Sequence, residues 1–436
     1  MATDQAFPLE AFDPTADGLR ADPYGVLRSA RATSPVFHAA AHDMWCVTRH
    51  EDVATVLRDP ATYSASPMAA IPDVPEHLRH LLPHGFPGSA QFGATDPPDH
   101  TRMRRLAQQA VIPRLLKQYE PAIERIADGL VDGFPADSDF DFVAAFGSRY
   151  ALRVVTHMLG VPLKDEARFQ RWAHDTVLIV FGPPASADTP SDAAHAETLN
   201  ALTGSMVEFD AYLRELIDDR RARPREDMLT ELVTAIGDPA DGGYTRQEIM
   251  GILSQLLTGG SSTTSDLLSH ALVMLLAERE RWEHLREQPQ DVPLVLEETL
   301  RFCNPSRAVY RRTNSAVTLG GARVPAGALL WVCLASANRD EAVFDAPDRF
   351  DPHRANLKDH FGFGRWTHFC LGAPLARLIG HIALERMLVR LPTLRLVAAP
   401  SDADYAQRLL QPKLEQLWLA AGPPGAPRAS AVAGRA

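Results

Sequence analysis

The sequence predicts a mainly α-helical fold with a minor β region, and three observations carry that expectation. Apolar residues recur at helical spacing from Arg102 to about Leu300. Within that stretch, Thr245 to about Ala277 reads as one long helix, which at 1.5 Å per residue spans roughly 48 Å. The segment "VTLGGARVPAGALLWVCLAS" then places β-branched residues around Gly-Gly and Pro turns, the signature of a small sheet.

The 436 residues exceed the usual domain size of about 100 to 150, yet no Gly/Ser-rich linker or charge block divides them. One domain over 1–436 is expected, with an ordered core from about residue 20 to 420, a loose N-terminus and a loose tail, "GPPGAPRASAVAGRA". A net charge of -11 argues against a nucleic-acid partner, which requires a basic surface. No apolar run approaches the roughly 18 residues of a membrane span, and the N-terminus lacks a basic and then apolar leader, so a cytoplasmic protein is expected. Four cysteines without a spacing pattern suit a reducing compartment.

In chain order, "MWCVTRHEDVATVLRDP" reads as a short strand and then a helix. From Ser66 to Thr95 runs a Pro- and Gly-rich loop carrying Met68, Ile71, Leu78, Leu81, Leu82, Phe86 and Phe92, and so long an apolar loop is more often functional than idle. "DPPDHTRMRR" sets His100 and Arg104 four apart on one helical face. In the long helix, Gly259-Gly260 should cost about 1 kcal/mol per residue relative to alanine. Either close helix packing or a flat ligand against a locally opened helix offsets that cost. Glu298 and Arg301, three apart in "LEETLRF", share a helix face and can pair, which alone describes many surface pairs.

Cys370 in "FGFGRWTHFCLGAPLAR" differs from Cys46, Cys303 and Cys333 in its surroundings. Gly364 and Gly372 flank it with residues that turn tightly or let a flat group approach the backbone. The following "APLARLIGHIALERMLVRL" is a helix, so Cys370 lies just before a helix N-terminus, where amide N–H groups favour a thiolate. One cysteine cannot build a structural zinc site of about four ligands. A haem iron needs only one axial protein ligand.

The segment resembles the haem-binding loop of the cytochrome P450 superfamily, Phe-Gly-x-Gly-x-His-x-Cys-x-Gly, at Phe363, Gly364, His368, Cys370 and Gly372. Trp366 stands where the second glycine is expected, so the loop is expected to bulge or repack. Four further motifs follow the family's order. Gly259, Gly260 and Thr263 resemble its oxygen-activating groove, with Ser262 where an acid is usual. Glu298, Arg301 and Arg349 resemble its structural Glu-x-x-Arg network. His100, Arg104, Arg311 and His368 align with partners of the haem propionates.

The resemblance implies a P450 fold, a helical prism around haem b, with Cys370 as iron ligand. The implied reaction puts one oxygen atom of dioxygen into a small to medium apolar substrate, with Thr263 delivering protons and water organised by Ser261 and Ser262 completing the relay. Pocket walls are implied at Phe92, Gln255, Leu256, Gly259, Ala308, Val309, Leu409 and Leu410. They suit a terpenoid, an aromatic compound or a natural-product intermediate. Arg307 is expected to hold a substrate carboxylate or phenolate, against solvent or a propionate as its alternatives. No reductase sequence follows the haem-binding segment, so electrons are expected from a ferredoxin-type donor and its NAD(P)H-dependent reductase. Surplus charges at Arg102, Arg105 and Arg114 are either that donor's docking patch or a solvated face. Alternatives are a peroxide-driven oxygenase or nitric oxide reductase on the same fold, or a haem-binding accessory protein without chemistry.

Overall fold

A computed structural model describes residues 8–69, 92–109, 111–135, 138–181, 192–238 and 242–422. Ile71, Leu78, Leu81, Leu82 and Phe86 of the apolar loop lie outside the described residues, as does the tail beyond Gly422.

The helix Arg246–Leu276 runs through the main core. It starts where a capping box forms. The Thr245 hydroxyl accepts from the Glu248 N–H and the Glu248 carboxylate accepts from the Thr245 N–H, which satisfies two of the donors that a helix start leaves free. Nineteen of its side chains, Ile249 to Leu275, are buried. A helix buried on nearly every side belongs in the interior of a large protein. Around it pack the helices Ser148–Met158, Glu166–Phe181, Val292–Phe302 and Ala373–Arg390.

The β region lies to one side. Strands β1 (Val36–Ala39), β2 (Met44–Val47), β3 (Tyr63–Ser64), β5 (Val309–Thr313) and β8 (Leu329–Val332) form a sheet in the order β1-β2-β8-β5-β3. Here β2 pairs parallel with β8, putting Cys46 opposite Trp331, and the other pairs are antiparallel. β4 (Asp139–Asp141), β9 (Arg395–Leu396) and β10 (Trp418–Ala420) make a second sheet. β6 (Val317–Leu319) and β7 (Ala322–Val324) make a hairpin. Its turn residues Gly320 and Gly321 take φ of +53° and +82°, a pairing that glycines supply without steric cost.

The N-terminal expectation is corrected from residue 8 onward. Phe12 is fully buried and packs edge-on to Phe37 and against Trp331. Two aromatic contacts and complete burial hold this segment, although its Gly, Pro and Ala content suggested a loose chain. Among the described residues, no helix is long and apolar enough to cross a membrane.

Candidate active site

Cys370 is the one cysteine of the four that lines the main cavity, a space of about 320 Å³. Cys46 and Cys333 are fully buried in the second core cluster. Burial pushes the Cys333 thiol up to about 12 and the Cys303 thiol to about 11. Around Cys370 the loop is fixed by its backbone: Cys370 N–H donates to the Phe363 carbonyl at 2.8 Å, and Gly364, at φ +62°, donates to Phe361 at 2.8 Å. Pro374 starts the next helix, where its missing N–H costs nothing. Burial raises the Cys370 thiol, while the Gly372 and Ala373 N–H groups and the Arg104 and Arg377 cations favour its thiolate. A metal ion in the proton's place completes the balance.

The expected bulge at Trp366 is replaced by something simpler. Trp366 takes φ +54°, the left-handed conformation that a glycine would take there, so the loop keeps its course. That conformation costs a non-glycine residue about 1–2 kcal/mol. The Arg58 guanidinium lies 4.7 Å from the indole centroid, and a cation–π contact returns about 0.5–1 kcal/mol.

His100, Arg104, Arg311 and His368 converge on this cavity from separate parts of the chain. The two imidazole rings lie 4.3 Å apart. Both nitrogens of each ring are buried without a hydrogen-bond partner in the protein. Burial, helped by the Arg104 and Arg311 charges, holds His100 down to about 4 and His368 to about 3, so both rings are neutral. Arg311 is 4 % exposed, donates to the Tyr310 carbonyl at 2.7 Å and is pushed down to about 10 by burial. Arg104, Arg311 and the two imidazoles thus face the cavity, with Arg365 also on its wall and no carboxylate lining it among the described residues. Buried donors without acceptors are rare in folded proteins, and this set fits a ligand that brings two carboxylates. With one thiol nearby, haem b meets each requirement.

On the central helix the two glycines do different work. A Cβ at Gly259 would meet nothing within 4 Å, whereas one at Gly260 would come 3.1 Å from Val155 Cγ2. Gly259 leaves room for a flat group, and Gly260 permits close helix packing. The helix is unbroken here, so no local opening is needed. Thr263 lines the cavity and its hydroxyl donates to the Gly259 carbonyl at 2.5 Å. Ser262 does not line it. At 100° per residue its side chain turns away from the Gly259–Thr263 face, and its hydroxyl is buried without a partner in the protein. Of the three residues expected in the relay, Thr263 alone lines the cavity, with Thr264 beside it, and Ser261 and Ser262 do not.

The structural network also needs a correction. Arg301 Nε and Nη2 donate to both Glu298 oxygens at 2.8 and 2.7 Å, and both side chains are fully buried. Arg301 further donates to the carbonyls of Asn338, Pro347 and Arg349. The Arg349 side chain is 69 % exposed and pairs with Asp351, so it contributes only its backbone. Arg354 is the third member. Its guanidinium, 5 % exposed, reaches Glu298 at 3.1 Å.

Phe92, Gln255, Leu256 and Val309 line the cavity as expected, with Met68, Pro305, Ser306 and Gln411 beside them. The other expected wall residues, Ala308, Leu409 and Leu410, do not, and neither does Arg307. Ala308, Leu409 and Leu410 are buried in a second, smaller core cluster with Phe12, Phe37 and Trp331, and Gln411, the next residue, faces the cavity instead. Arg307 turns outward from the cavity, donating to the carbonyls of Pro14, Leu19 and Arg20. These N-terminal acceptors satisfy a guanidinium that is 4 % exposed. Arg102 pairs with Glu248 and so drops out of the surplus basic charges.

Comparisons with known proteins agree with this geometry. The family model described as cytochrome P450 matches residues 37–394. Cytochrome P450 107B1 of Saccharopolyspora erythraea is 34% identical, the match covering 96% of this chain and 98% of that protein. The vitamin D(3) 25-hydroxylase of Pseudonocardia autotrophica is 31% identical, covering 92% and 94%. The P450 heme domain of Tepidiphilus thermophilus superposes with a TM-score of 0.86 at 27% identity, covering 94% of this chain and 97% of that one.

Proposed function

This chain belongs to the cytochrome P450 family, and on that premise we propose that it inserts one oxygen atom from dioxygen into a neutral, largely apolar organic molecule of small to medium size. The observation that carries the substrate class is the charge on the cavity wall. Among the described residues its only charged members are Arg104, Arg311 and Arg365. The first two would hold the haem carboxylates, and Arg365 sits in the cysteine loop and pairs with Asp359. With Arg307 turned to the N-terminal segment, no cation among the described residues is left to hold an acidic substrate. Gln255, Ser306 and Gln411 offer hydrogen bonds to a hydroxyl, carbonyl or amide on an otherwise apolar molecule. A relative named for hydroxylating vitamin D(3) supports the same polarity.

When bound, haem b supplies the dioxygen-activating chemistry. Cys370 would hold its iron, while Arg104, Arg311, His100 and His368 would hold its two carboxylates. Gly259 leaves space beside the helix. The Thr263 hydroxyl, because it donates to the Gly259 carbonyl, presents its oxygen lone pairs to the cavity as an acceptor. It can take a hydrogen bond from water and pass a proton on by rotating away from that carbonyl.

Electrons are proposed to come from a ferredoxin-type donor and its NAD(P)H-dependent reductase. Trp366 and Phe369, 37 % and 36 % exposed, adjoin Cys370 with Arg58 and Arg365 beside them. An acidic donor is steered to such a patch on a chain that is acidic as a whole. Peroxide-driven turnover is the second reading. It is favoured by one observation, that no carboxylate lines the cavity to relay protons among the described residues.

Titrating a panel of neutral and acidic compounds while following the haem spectrum tests the substrate class. Neutral apolar compounds should shift the Soret band and their acidic analogues should not, and a preference for carboxylates would sink the reading. Product formation from a hit with nicotinamide, ferredoxin and reductase, against peroxide alone, separates the two electron sources.

A further inference from the structure

On the far side of the Glu298 network, three side chains with metal-ligand chemistry meet. His284 belongs to the helix Arg279–Glu287, Asp291 to the turn Pro289–Asp291, and His353 to the loop after Phe350. His353 Nε2 lies 3.3 Å and His284 Nε2 3.9 Å from Asp291 Oδ2, and the three candidate ligand atoms all fall within 4.8 Å of one another. Zinc bonds of about 2.0–2.2 Å in a tetrahedron separate ligand atoms by about 3.3–3.5 Å. The His353–Asp291 pair already has that spacing. His284, whose side chain is 62 % exposed, is free to close the roughly half ångström by which it exceeds that spacing to Asp291.

Two further features make the cluster more than a chance meeting. Asp291 is the N-cap of the helix Val292–Phe302, a position where a carboxylate ordinarily accepts from the backbone, yet its side chain makes no capping bond. Its oxygens are left to the two imidazoles. The loop bearing His353 is held on both sides of it by Glu298, through the Asp351 N–H at 2.8 Å and the Arg354 guanidinium. Glu298 lies seven residues after Asp291, two helical turns along the same face. The loop is therefore tied to Glu298 on either side of His353, whose side chain reaches back to Asp291.

We propose that His284, Asp291 and His353 bind a divalent transition-metal ion, zinc or a close relative, with its remaining coordination positions open to solvent. Two imidazoles and one carboxylate are the ligand types that such borderline ions prefer over calcium or magnesium. The ion would clamp the 351–354 loop to the base of the helix that carries Glu298 and Arg301, and would touch neither the cavity nor its chemistry.

The test uses untagged, haem-loaded enzyme dialysed against micromolar zinc, followed by metal analysis and thermal melts with the parent, His284→Ala and His353→Ala. Both substituted side chains are more than half exposed, so folding should be kept, and an unchanged Soret band checks it. The parent should bind one zinc per chain and melt a few degrees higher with it. Each variant should lose at least the roughly 10–100-fold in affinity that even an outer-shell partner is worth, together with the melting shift. A parent that takes up no zinc, or variants that bind it as tightly as the parent, overturns the proposal.

Discussion

Two buried clusters of charge differ in how far the protein satisfies them. Around Glu298, two arginines meet one carboxylate, four backbone carbonyls accept the remaining donors, and the Asp351 N–H fills the carboxylate. Around Cys370, Arg104, Arg311 and two imidazoles face a cavity that no carboxylate lines among the described residues. The first cluster is complete in the chain itself and so belongs to the fold. The second is complete only with a dianionic ligand, and the same residue types there belong to binding. Counting partners separates structural charge from functional charge where burial alone does not.

Breaking the closed cluster should have the largest effect. Glu298→Ala strands two buried guanidinium groups, which typically costs about 3–5 kcal/mol. Urea unfolding should show it, or the variant should fail to accumulate folded. Arg354→Ala should be nearly as severe, whereas Arg349→Ala, at an exposed side chain, should stay within about 0.5 kcal/mol. Equal effects at 349 and 354 would reverse the assignment of the third member.

Asp266 sharpens the comparison as an intermediate case. It is fully enclosed, accepts one N–H from Leu414 at 3.1 Å, and has Lys413, Arg408 and Glu415 nearby. Burial pushes its carboxyl up to about 7, well above its value in the unfolded chain. The folded state therefore holds this proton more tightly, and the group's contribution to stability falls as pH rises from about 4 to about 7. Asp266→Asn should remove that loss. Its stability relative to the parent should improve by on the order of 2 kcal/mol between about pH 5 and pH 8, as read from paired melting curves. A difference that does not change with pH would place the titration elsewhere.

In the open cluster, Arg311→Met should leave the haem-free protein as stable as the parent or more so, since it removes a buried cation that has one backbone carbonyl but no carboxylate in ion-pair contact among the described residues. Haem affinity should fall by the roughly 1.5–3 kcal/mol of a charge-assisted hydrogen bond, measurable as faster haem transfer to an acceptor globin. Destabilisation of the haem-free fold instead would make Arg311 structural. The smallest effect is expected at Trp366, where strain and stacking nearly cancel. Trp366→Gly should change unfolding free energy by less than about 1 kcal/mol. Trp366→Ala, which keeps the strain and loses the stack, should be the less stable of the two.

Much of this was legible where the chain is regular. Helical periodicity placed the central helix within a residue of its observed ends, and the two-glycine turn placed the β6–β7 hairpin. The positions of His100 and Arg104 followed from four-residue spacing on a helix. What failed lies in irregular segments. Nothing in "PDRFDPHR" says which arginine turns inward, because a loop has no period to fix direction. Between Leu410 and Gln411 a shift of one residue exchanges core for cavity. His284, Asp291 and His353 were invisible because sixty-odd residues separate their ends and tertiary packing alone joins them. Arg307 looked like a cavity residue by proximity in sequence, and only the position of Pro14 to Arg20 shows otherwise.

That arginine has a consequence for the start of the chain. Carbonyl oxygens from three N-terminal residues act as a neutral counter-ion, dissolving a cation that water cannot reach. Pro305 and Ser306, immediately before Arg307, form part of the cavity wall. Residues 14–20 thus behave as an external guy-rope on that wall, and shortening the chain past Pro14 would be felt inside the cavity as well as at the surface.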